Sequence, residues 1–391
     1  MLSRTLVALL LAFVAALSSC GGTGPQRSGG DTSAANARPV PPARVVRAKA
    51  AAVLSTLLRT YARRDGGRDP QYFGGGVWHS ADKRSWSYTN AGPGGAAAAL
   101  WAAGYHDPLW RRLATRTFDT VIAQHQAPDG SFTSSDTQSG DVRTTFAASQ
   151  LAWAYLDLGA SLDGAHQRAW RTAIVRAADY ELVRQKALSF YVNGNVNLAY
   201  IELFDLAWRV THDEKYRTAA NAEWSFTLHP PGARWKGFGL HVVRSAGTAS
   251  AGYLAESGGG TPGFDAEYTM AQSDIASRIA VESGDRRAVR LMSLEANLLL
   301  PRIDRPAFVL STASGTRHPQ AGRTVPFTSP VLELLAWNYG DGALRAAAAP
   351  AFKALLHWSL DARGYSDVNR YRGLAAQLAP LLLVGRGAPV R

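Results

Sequence analysis

Carboxylic acids stand at the start of several segments that are typical of buried helices. Asp265, Glu267 and Tyr268 follow the longest connecting segment, and Asp129 and Asp141 lie in an earlier one. Cleavage of a glycosidic bond needs one carboxylic acid to protonate the leaving oxygen and a second carboxylate to activate water or attack the sugar. These five residues are therefore our candidate catalytic groups. Asp265 or Glu267 is expected on one side of a cavity and Asp129 or Asp141 on the other.

Aromatic, amide and imidazole side chains accompany these acids in the connecting segments. Aromatic rings stack on sugar rings, while amide and imidazole groups hydrogen-bond sugar hydroxyls. The candidate substrate-binding residues are Trp78, His79, Tyr88, Asn90, Tyr191, Asn193, Asn195 and Trp235. A second chemistry stays open, because a tyrosine such as Tyr88 or Tyr268 could abstract a proton from a uronate, as in a polysaccharide lyase or a uronate epimerase.

Each of these assignments competes with a structural role. Asp-Gly-Ser at residues 129–131 is an ordinary turn signal, and acidic residues in a first helical turn stabilise the helix. Asn195 is predicted to be an N-cap. Glu202 lies on a helix otherwise suited to burial, so it is either a salt-bridge partner, which we favour, or a carboxylate deep in the site.

No metal or cofactor is indicated by the sequence. It has one cysteine among 391 residues, which excludes an internal disulfide and a cysteine-based metal site. The HExxH, P-loop and GxSxG motifs are absent. We therefore predict that the protein uses neither a metal nor a cofactor.

A repeated pair of helices must position the candidate residues. Each pair has a mostly uncharged helix, a tight turn and a more charged helix, and the pairs recur about every 50–70 residues. The uncharged helices, such as 92–104 and 144–156, are expected to be buried on all sides. Asp107, Asp213 and Asp285 stand where charged helices begin and are predicted N-caps.

The pairs are predicted to close into a ring. Five begin near residues 91, 142, 195, 265 and 327, and a sixth inner helix at 371–384 would pair with an outer helix at 43–63. This all-α layout resembles the (α/α)6 toroid of the six-hairpin glycosidase superfamily. The resemblance implies that the long loops lie on one face of the ring, above the N-termini of the inner helices.

One short motif is similar to a loop that occurs in several classes of toroid enzymes. The segment 126–132, with Gly140, Asp141 and Arg143 after it, is similar to an Asp-Gly-Ser-aromatic loop found in toroid glycosidases, terpene cyclases and prenyltransferases. The motif occurs once, and neither a DxDD acid motif nor a Cys/His zinc set accompanies it. These absences argue against a cyclase.

The first forty residues predict export and anchoring. Residues 1–19 have a basic start, a short apolar run and small residues, which is typical of a signal peptide. Leu17-Ser18-Ser19-Cys20 resembles a bacterial lipobox, in which the cysteine is lipidated. Residues 20–40 are predicted to form a flexible linker, and 41–391 a single toroid domain. We therefore expect the protein on the extracytoplasmic face of the membrane, attached through the lipid alone.

Net charge indicates the class of partner. The chain carries a formal charge of +12, which suits anionic glycans, although a solvated basic face explains it equally well. No long basic run indicates nucleic acid. The preferred function is a glycoside hydrolase that acts on a polysaccharide or oligosaccharide. A lyase or epimerase and a non-catalytic glycan-binding lipoprotein are the alternatives.

Overall fold

Long helices dominate the part of the chain that the structure, a computed structural model, describes. That part comprises residues 42–64, 72–73, 77–78, 91–133, 140–188, 193–243, 250–257, 261–313, 315–316, 324–360 and 378–385. Its α-helices are α1 (Ala43–Arg64), α2 (Gly92–Ala102), α3 (Pro108–His125), α4 (Gly140–Leu158), α5 (Gly164–Leu188), α6 (Gly194–Thr211), α7 (Glu214–Leu228), α8 (Ala266–Ser283), α9 (Arg286–Leu299), α10 (Val331–Asn338) and α11 (Arg345–Leu360).

The even-numbered helices form an inner ring and the odd-numbered helices an outer one. Neighbouring inner helices pack together in the order α2, α4, α6, α8, α10, and each is backed by the next helix along the chain. The inner helices bury most of their side chains, as their small number of charged residues predicts. Each of α3, α5 and α7 in turn inserts one fully buried tryptophan, at Trp110, Trp170 and Trp224.

The first described helix and the last described segment meet where the ring closes. A 3-10 helix at Ala379–Leu383 packs against α1 and also contacts α2. Arg47 on α1 donates a hydrogen bond to the carbonyl oxygen of Val384, and Asn338 on α10 donates to that of Leu383 (3.2 Å). The predicted closure is confirmed within 378–385, while residues 361–377 lie outside the described part of the chain. The all-α toroid is therefore the observed fold.

Local capping explains where three outer helices begin. The side chain of Asp107 accepts from the backbone N–H of Leu109 (2.9 Å), that of Asp213 from Lys215 (3.0 Å) and that of Asp285 from Arg287 (2.7 Å). All three predicted N-caps are confirmed. The Asn195 N-cap prediction is wrong, because the N-cap of α6 is Asn193 and Asn195 lies inside the first turn.

Short antiparallel strands occupy the connections from outer to inner helices. They are β1 (Tyr72–Phe73) with β2 (Val77–Trp78), β3 (Leu240–Val243) with β4 (Ala251–Leu254), and β5 (Ile303–Asp304), β6 (Val309–Ser311) and β7 (Thr324–Pro326) in one small sheet. These connections are the long loops expected from the sequence. None of the described helices is long and apolar enough to span a membrane.

Candidate functional site

A partly exposed face runs along two inner helices. On α4 it includes Arg143, Gln150, Trp153 and Asp157. On α8 it includes Ala271, Asp274, Arg278 and Glu282. Spacings of three, four and seven residues put each set on one side of its helix. Because outer helices cover the opposite side, we assign these faces to the centre of the ring, hereafter the lumen.

A charged network joins three inner helices in the lumen. Arg278 on α8 binds Glu202 on α6 with two hydrogen bonds, from Nε to Oε1 (2.7 Å) and from Nη2 to Oε2 (3.1 Å). The indole N–H of Trp153 on α4 donates to Glu202 Oε1 (2.9 Å). Arg278 Nη1 also binds Asp274 Oδ2 (3.0 Å). The preferred prediction for Glu202, a salt-bridge partner, is confirmed.

Asp274 is the member of this network that can exchange a proton near neutral pH. Burial raises the pKa of Asp274 to about 6, although the Arg278 guanidinium opposes the shift. Its Oδ1 has no hydrogen-bond partner within the described part of the chain. The side chain keeps 17% of its exposure. One oxygen is thus held by a cation, while the other is buried without a hydrogen-bond partner in the described part of the chain and can carry a proton.

Glu267 lies on the same face of α8 as Asp274, two turns nearer the N-terminus of the helix. A separation of seven residues corresponds to a rise of about 10 Å along the helix axis. Glu267 is fully buried in the first turn of α8. Helix periodicity therefore puts the two carboxyl groups on one side of α8, with Glu267 buried and Asp274 partly exposed.

Asp265 caps the helix that carries both of these acids. Its Oδ1 accepts from the backbone N–H of Tyr268 (3.1 Å), so the capping role weighed from the sequence is present. Gly315 packs against the other oxygen, since a Cβ atom added there would lie 2.5 Å from Asp265 Oδ2. Asp265 and Tyr268 are both buried at this end of α8. The close approach of Gly315 fixes the carboxyl group in place.

Asn193 and Asn195 meet the same connecting loop from the neighbouring helix. Asn193 Oδ1 accepts from the backbone N–H of Ser257 (3.1 Å). Glu256 Oε1 accepts from the backbone N–H of Asn195 (3.2 Å) and from the side-chain amide of Gln272 (2.8 Å). A carboxylate at the N-terminus of α6 is favoured by the free N–H groups there. These contacts bring Asn193, Asn195 and the start of α8 together.

Asp141 faces the outer helix α5. It is buried and forms an ion pair with Arg184, whose Nε lies 2.6 Å from its Oδ1. Tyr180 donates a weak hydrogen bond to the same oxygen (3.4 Å). Beside them, burial and then the Asp141 charge raise the pKa of Glu181 well above its ordinary value. Asp141 thus ties α4 to α5, and its hydrogen bonds and ion pair in the described part of the chain are with Tyr180 and Arg184 rather than with a lumen acid.

Asp129 stabilises a turn at the periphery. It is exposed, and its Oδ1 accepts from the hydroxyl (2.7 Å) and the backbone N–H (3.0 Å) of Ser131. The Ser131 hydrogen bonds lower its pKa. Arg176 of α5 donates to the carbonyl oxygens of residues 127 (2.8 Å) and 128 (2.7 Å). These contacts fit the structural alternative for the Asp-Gly-Ser segment, in which Asp129 stabilises a turn. The turn lies against the outer helix α5.

The remaining predicted residues divide in two. Trp235 lies in a half-buried aromatic cluster, with its ring edge-on to Phe226 (5.9 Å) and Phe238 (6.3 Å) and the Arg234 guanidinium over it (4.4 Å). Residues outside the described part of the chain are Cys20, His79, Tyr88, Asn90 and Tyr191, together with the side chain of Trp78. No placement is assigned to them.

Four residues of interest were missed from the sequence. They are Trp153, Asp274, Arg278 and Glu333, the last fully buried in the first turn of α10. The signal for the α8 pair was an aspartate and an arginine four residues apart on one helix face. Across the residues described, no group of three or more His, Cys, Asp or Glu side chains is arranged to hold a metal ion.

Comparison with known proteins identifies the fold. No sequence-family model matches the chain, and no curated protein sequence matches it significantly. Known structures do resemble it. The unsaturated glucuronyl hydrolase of Streptococcus agalactiae is 14% identical, with 86% of this chain and 91% of that chain covered and a TM-score of 0.51. The chain has the six-hairpin (α/α)6 toroid fold.

Two other toroids are similar to a comparable extent. The β-1,3-1,4-glucanase of Paenibacillus sp. X4 is 10% identical, with 86% and 93% coverage of this chain and that one and a TM-score of 0.53. A glycoside hydrolase family 76 mannosidase from Bacteroides thetaiotaomicron is 8% identical, with 85% and 98% coverage and a TM-score of 0.51. Likeness at these identities concerns the fold alone.

Proposed function

We propose that this toroid is a glycoside hydrolase that acts on an extracellular polysaccharide or oligosaccharide. The observation that carries the proposal is Asp274, a lumen carboxyl group with one oxygen on Arg278 and a pKa raised to about 6. Such a group holds a proton in weakly acidic solution and can give it to a glycosidic oxygen as the bond breaks. We therefore assign Asp274 as the general acid.

Glu267 is the second carboxyl group of the proposal. Its position two turns along the same helix corresponds to a rise of about 10 Å along the helix axis from Asp274. Inverting glycosidases separate their two carboxyl groups by about 6.5–9.5 Å, which leaves room for a water, whereas retaining enzymes keep them about 5 Å apart. The rise along the helix is well above the retaining spacing and just above the inverting range, so we assign Glu267 as the base that activates water, with inversion at the anomeric carbon.

The residues around this pair have supporting roles in the proposal. Asp265 and Tyr268 hold the start of α8, and Asn193 and Asn195 hold the loop that faces it. Trp153 supplies a half-buried aromatic ring beside Glu202 on which a sugar can stack. The fold is compatible with this chemistry, since three of the toroids that resemble it have names that denote hydrolases of carbohydrates.

A polysaccharide panel tests the proposal. The purified domain should release reducing ends from at least one glycan, and Asp274→Asn should lower kcat by about 100- to 10,000-fold. Glu267→Gln should be similarly inactive. Asp213→Asn is the matched control, because asparagine is also a good N-cap and the residue lies on the outer layer. Full activity in Asp274→Asn would rule out the assignment of the acid.

The pH profile and the product distinguish the remaining alternatives. Activity should fall as pH rises through about 6, because Asp274 then loses the proton that the reaction needs. Products that absorb in the ultraviolet would indicate a lyase, with Tyr268 as a candidate base. Binding of a glycan without any turnover would favour a non-catalytic binding protein.

Lipid anchoring is a separate part of the proposal. We propose that residues 1–19 are removed as a signal peptide, that Cys20 is lipidated, and that residues 20–40 tether a single domain at 41–391. The protein would then act on the extracytoplasmic face of the membrane. Cys20→Ala should move the protein from the membrane fraction to the soluble fraction. Detergent-dependent membrane retention of this variant would contradict the anchor.

A further inference from the structure

Four side chains form a continuous row from the β3–β4 hairpin to the start of α8. His241 and Tyr253 face each other across the two strands and stack with nearly parallel rings, 5.1 Å apart at 8°. Phe264 lies edge-on to Tyr253 (5.3 Å), and the Arg302 guanidinium lies 4.4 Å from the centre of the Phe264 ring. We call these four residues the ledge.

The ledge presents unused hydrogen-bonding groups. Its three rings are half-buried and Arg302 is exposed. His241 Nε2 donates to the carbonyl oxygen of Gly237 (2.8 Å), which leaves Nδ1 as an acceptor. In the described part of the chain the Tyr253 hydroxyl makes no hydrogen bond and Arg302 makes no ion pair. A ring beneath a guanidinium leaves its N–H edge directed outward, where it can bind a carboxylate with two hydrogen bonds.

The position of the ledge connects it with the proposed site. Phe264 directly precedes Asp265, the N-cap of α8, and α8 carries Glu267 and Asp274. The ledge therefore adjoins the N-terminal end of the helix that carries both proposed catalytic acids. Aromatic rings bind the apolar face of a sugar, while a positive charge that forms no ion pair with the described residues selects a sugar that carries a negative one.

We propose that the ledge is an outer subsite for an acidic sugar unit of the substrate, with Arg302 binding its carboxylate. The proposed occupant is thus a polyuronate chain. Its negative charge matches the positive net charge of the protein. This inference rests on the proposed hydrolase function for the direction of the chain, but binding at the ledge does not require turnover. A neutral glycan would satisfy the rings and leave the guanidinium without a partner.

Binding of polyuronates by the full-length mature protein is the test. Polygalacturonate, alginate and hyaluronan oligomers are titrated calorimetrically beside neutral dextran and dextran sulfate. At least one polyuronate should bind more tightly than dextran, and Arg302→Gln should weaken that binding by about ten- to a hundred-fold, as expected for loss of a charge-assisted pair. Tyr253→Ala should weaken it as well.

Arg305→Gln is the matched control, because Arg305 is an exposed arginine three positions further along the chain. Its affinity for the polyuronate should equal that of the unmodified protein. Equal affinities for Arg302→Gln and Arg305→Gln would overturn the ledge, and so would equal binding of dextran and every polyuronate. Tighter Arg302-dependent binding of dextran sulfate than of any polyuronate would overturn the choice of carboxylate.

The same variants separate this inference from the hydrolase proposal. Asp274→Asn should bind the polyuronate as tightly as the unmodified protein while it loses turnover. If binding depends on Arg302 but neither the unmodified protein nor any variant shows turnover, the result would support the ledge and contradict the hydrolase. If Asp274→Asn loses turnover while Arg302→Gln keeps the KM of the unmodified protein, the results would support the hydrolase and contradict the ledge.

Discussion

Replacing Glu333 by glutamine should remove a pH-dependent loss of folding stability. Glu333 is fully buried in the first turn of α10, and neither carboxyl oxygen has a hydrogen-bond partner in the described part of the chain. Burial raises its pKa from 4.5 to about 8. The folded protein therefore keeps this group protonated at pH 7, while the unfolded chain ionises it.

The sign and size of the effect follow from proton linkage. A carboxyl group with a raised folded pKa contributes most stability below its unfolded pKa, and that contribution is lost as pH rises toward the folded pKa. Between pH 4.5 and pH 7 the loss is about 3 kcal/mol, since each pKa unit corresponds to about 1.4 kcal/mol. Glu333→Gln cannot titrate and should not show this loss.

Urea unfolding followed by circular dichroism at several pH values between 4.5 and 7.5 measures the difference. The free energy of unfolding of Glu333→Gln, relative to the unmodified protein, should rise by about 3 kcal/mol across this range. Other buried acids such as Glu223 titrate in both proteins and cancel. Glu214→Gln, at an exposed position, should show no such rise. Parallel curves for Glu333→Gln and the unmodified protein would refute the reasoning.

Substitutions at three further positions test the fold. Gly130→Ala should cost more than about 2 kcal/mol of unfolding free energy, because Gly130 has φ +97° and an added Cβ would lie 2.3 Å from the carbonyl oxygen of Arg176; a change below 0.5 kcal/mol in urea unfolding would contradict this. Asp213→Ala should cost about 1 kcal/mol through loss of the α7 cap, and Asp213→Asn should restore it. Arg278→Met should lower the unfolding free energy by about 3–5 kcal/mol, and the thermal midpoint with it, because Glu202 and Asp274 lose their shared cation; an unchanged midpoint would show that the network is dispensable.

The ring was predictable because its signals are local. The contrast between uncharged and charged helices, and aspartates such as Asp107 and Asp285 at helix starts, depend on a few neighbouring residues. The helices and caps that these signals predict can be recognised without knowledge of the rest of the fold. Asn195 was misplaced by two positions, since three asparagines at alternate positions offer the same local capping chemistry and only the contacts of Asn193 and Glu256 decide between them.

The lumen network was beyond the reach of sequence reasoning. Asp274 and Arg278 form an ordinary pair on one helix, and only the assembled ring brings Glu202 to them across 76 positions in the chain from Arg278. The raised pKa of Asp274 depends on the same assembly, because burial causes it. Asp129 shows the converse, since its turn-forming hydrogen bonds are local and the structural alternative could be stated in advance.

Closure of the ring affects the order in which the contacts of the domain can form during folding. The hydrogen bond from Arg47 to Val384 joins positions 337 residues apart, so α1 lacks its inner neighbour until the last part of the domain has emerged. The partly made ring exposes the apolar side of α1, including Val46, Leu54 and Tyr61, which the finished domain buries. Contacts of such long range form slowly, and an open intermediate is prone to aggregation. Chaperone dependence during maturation should therefore centre on the joint between the first helix and the last segment.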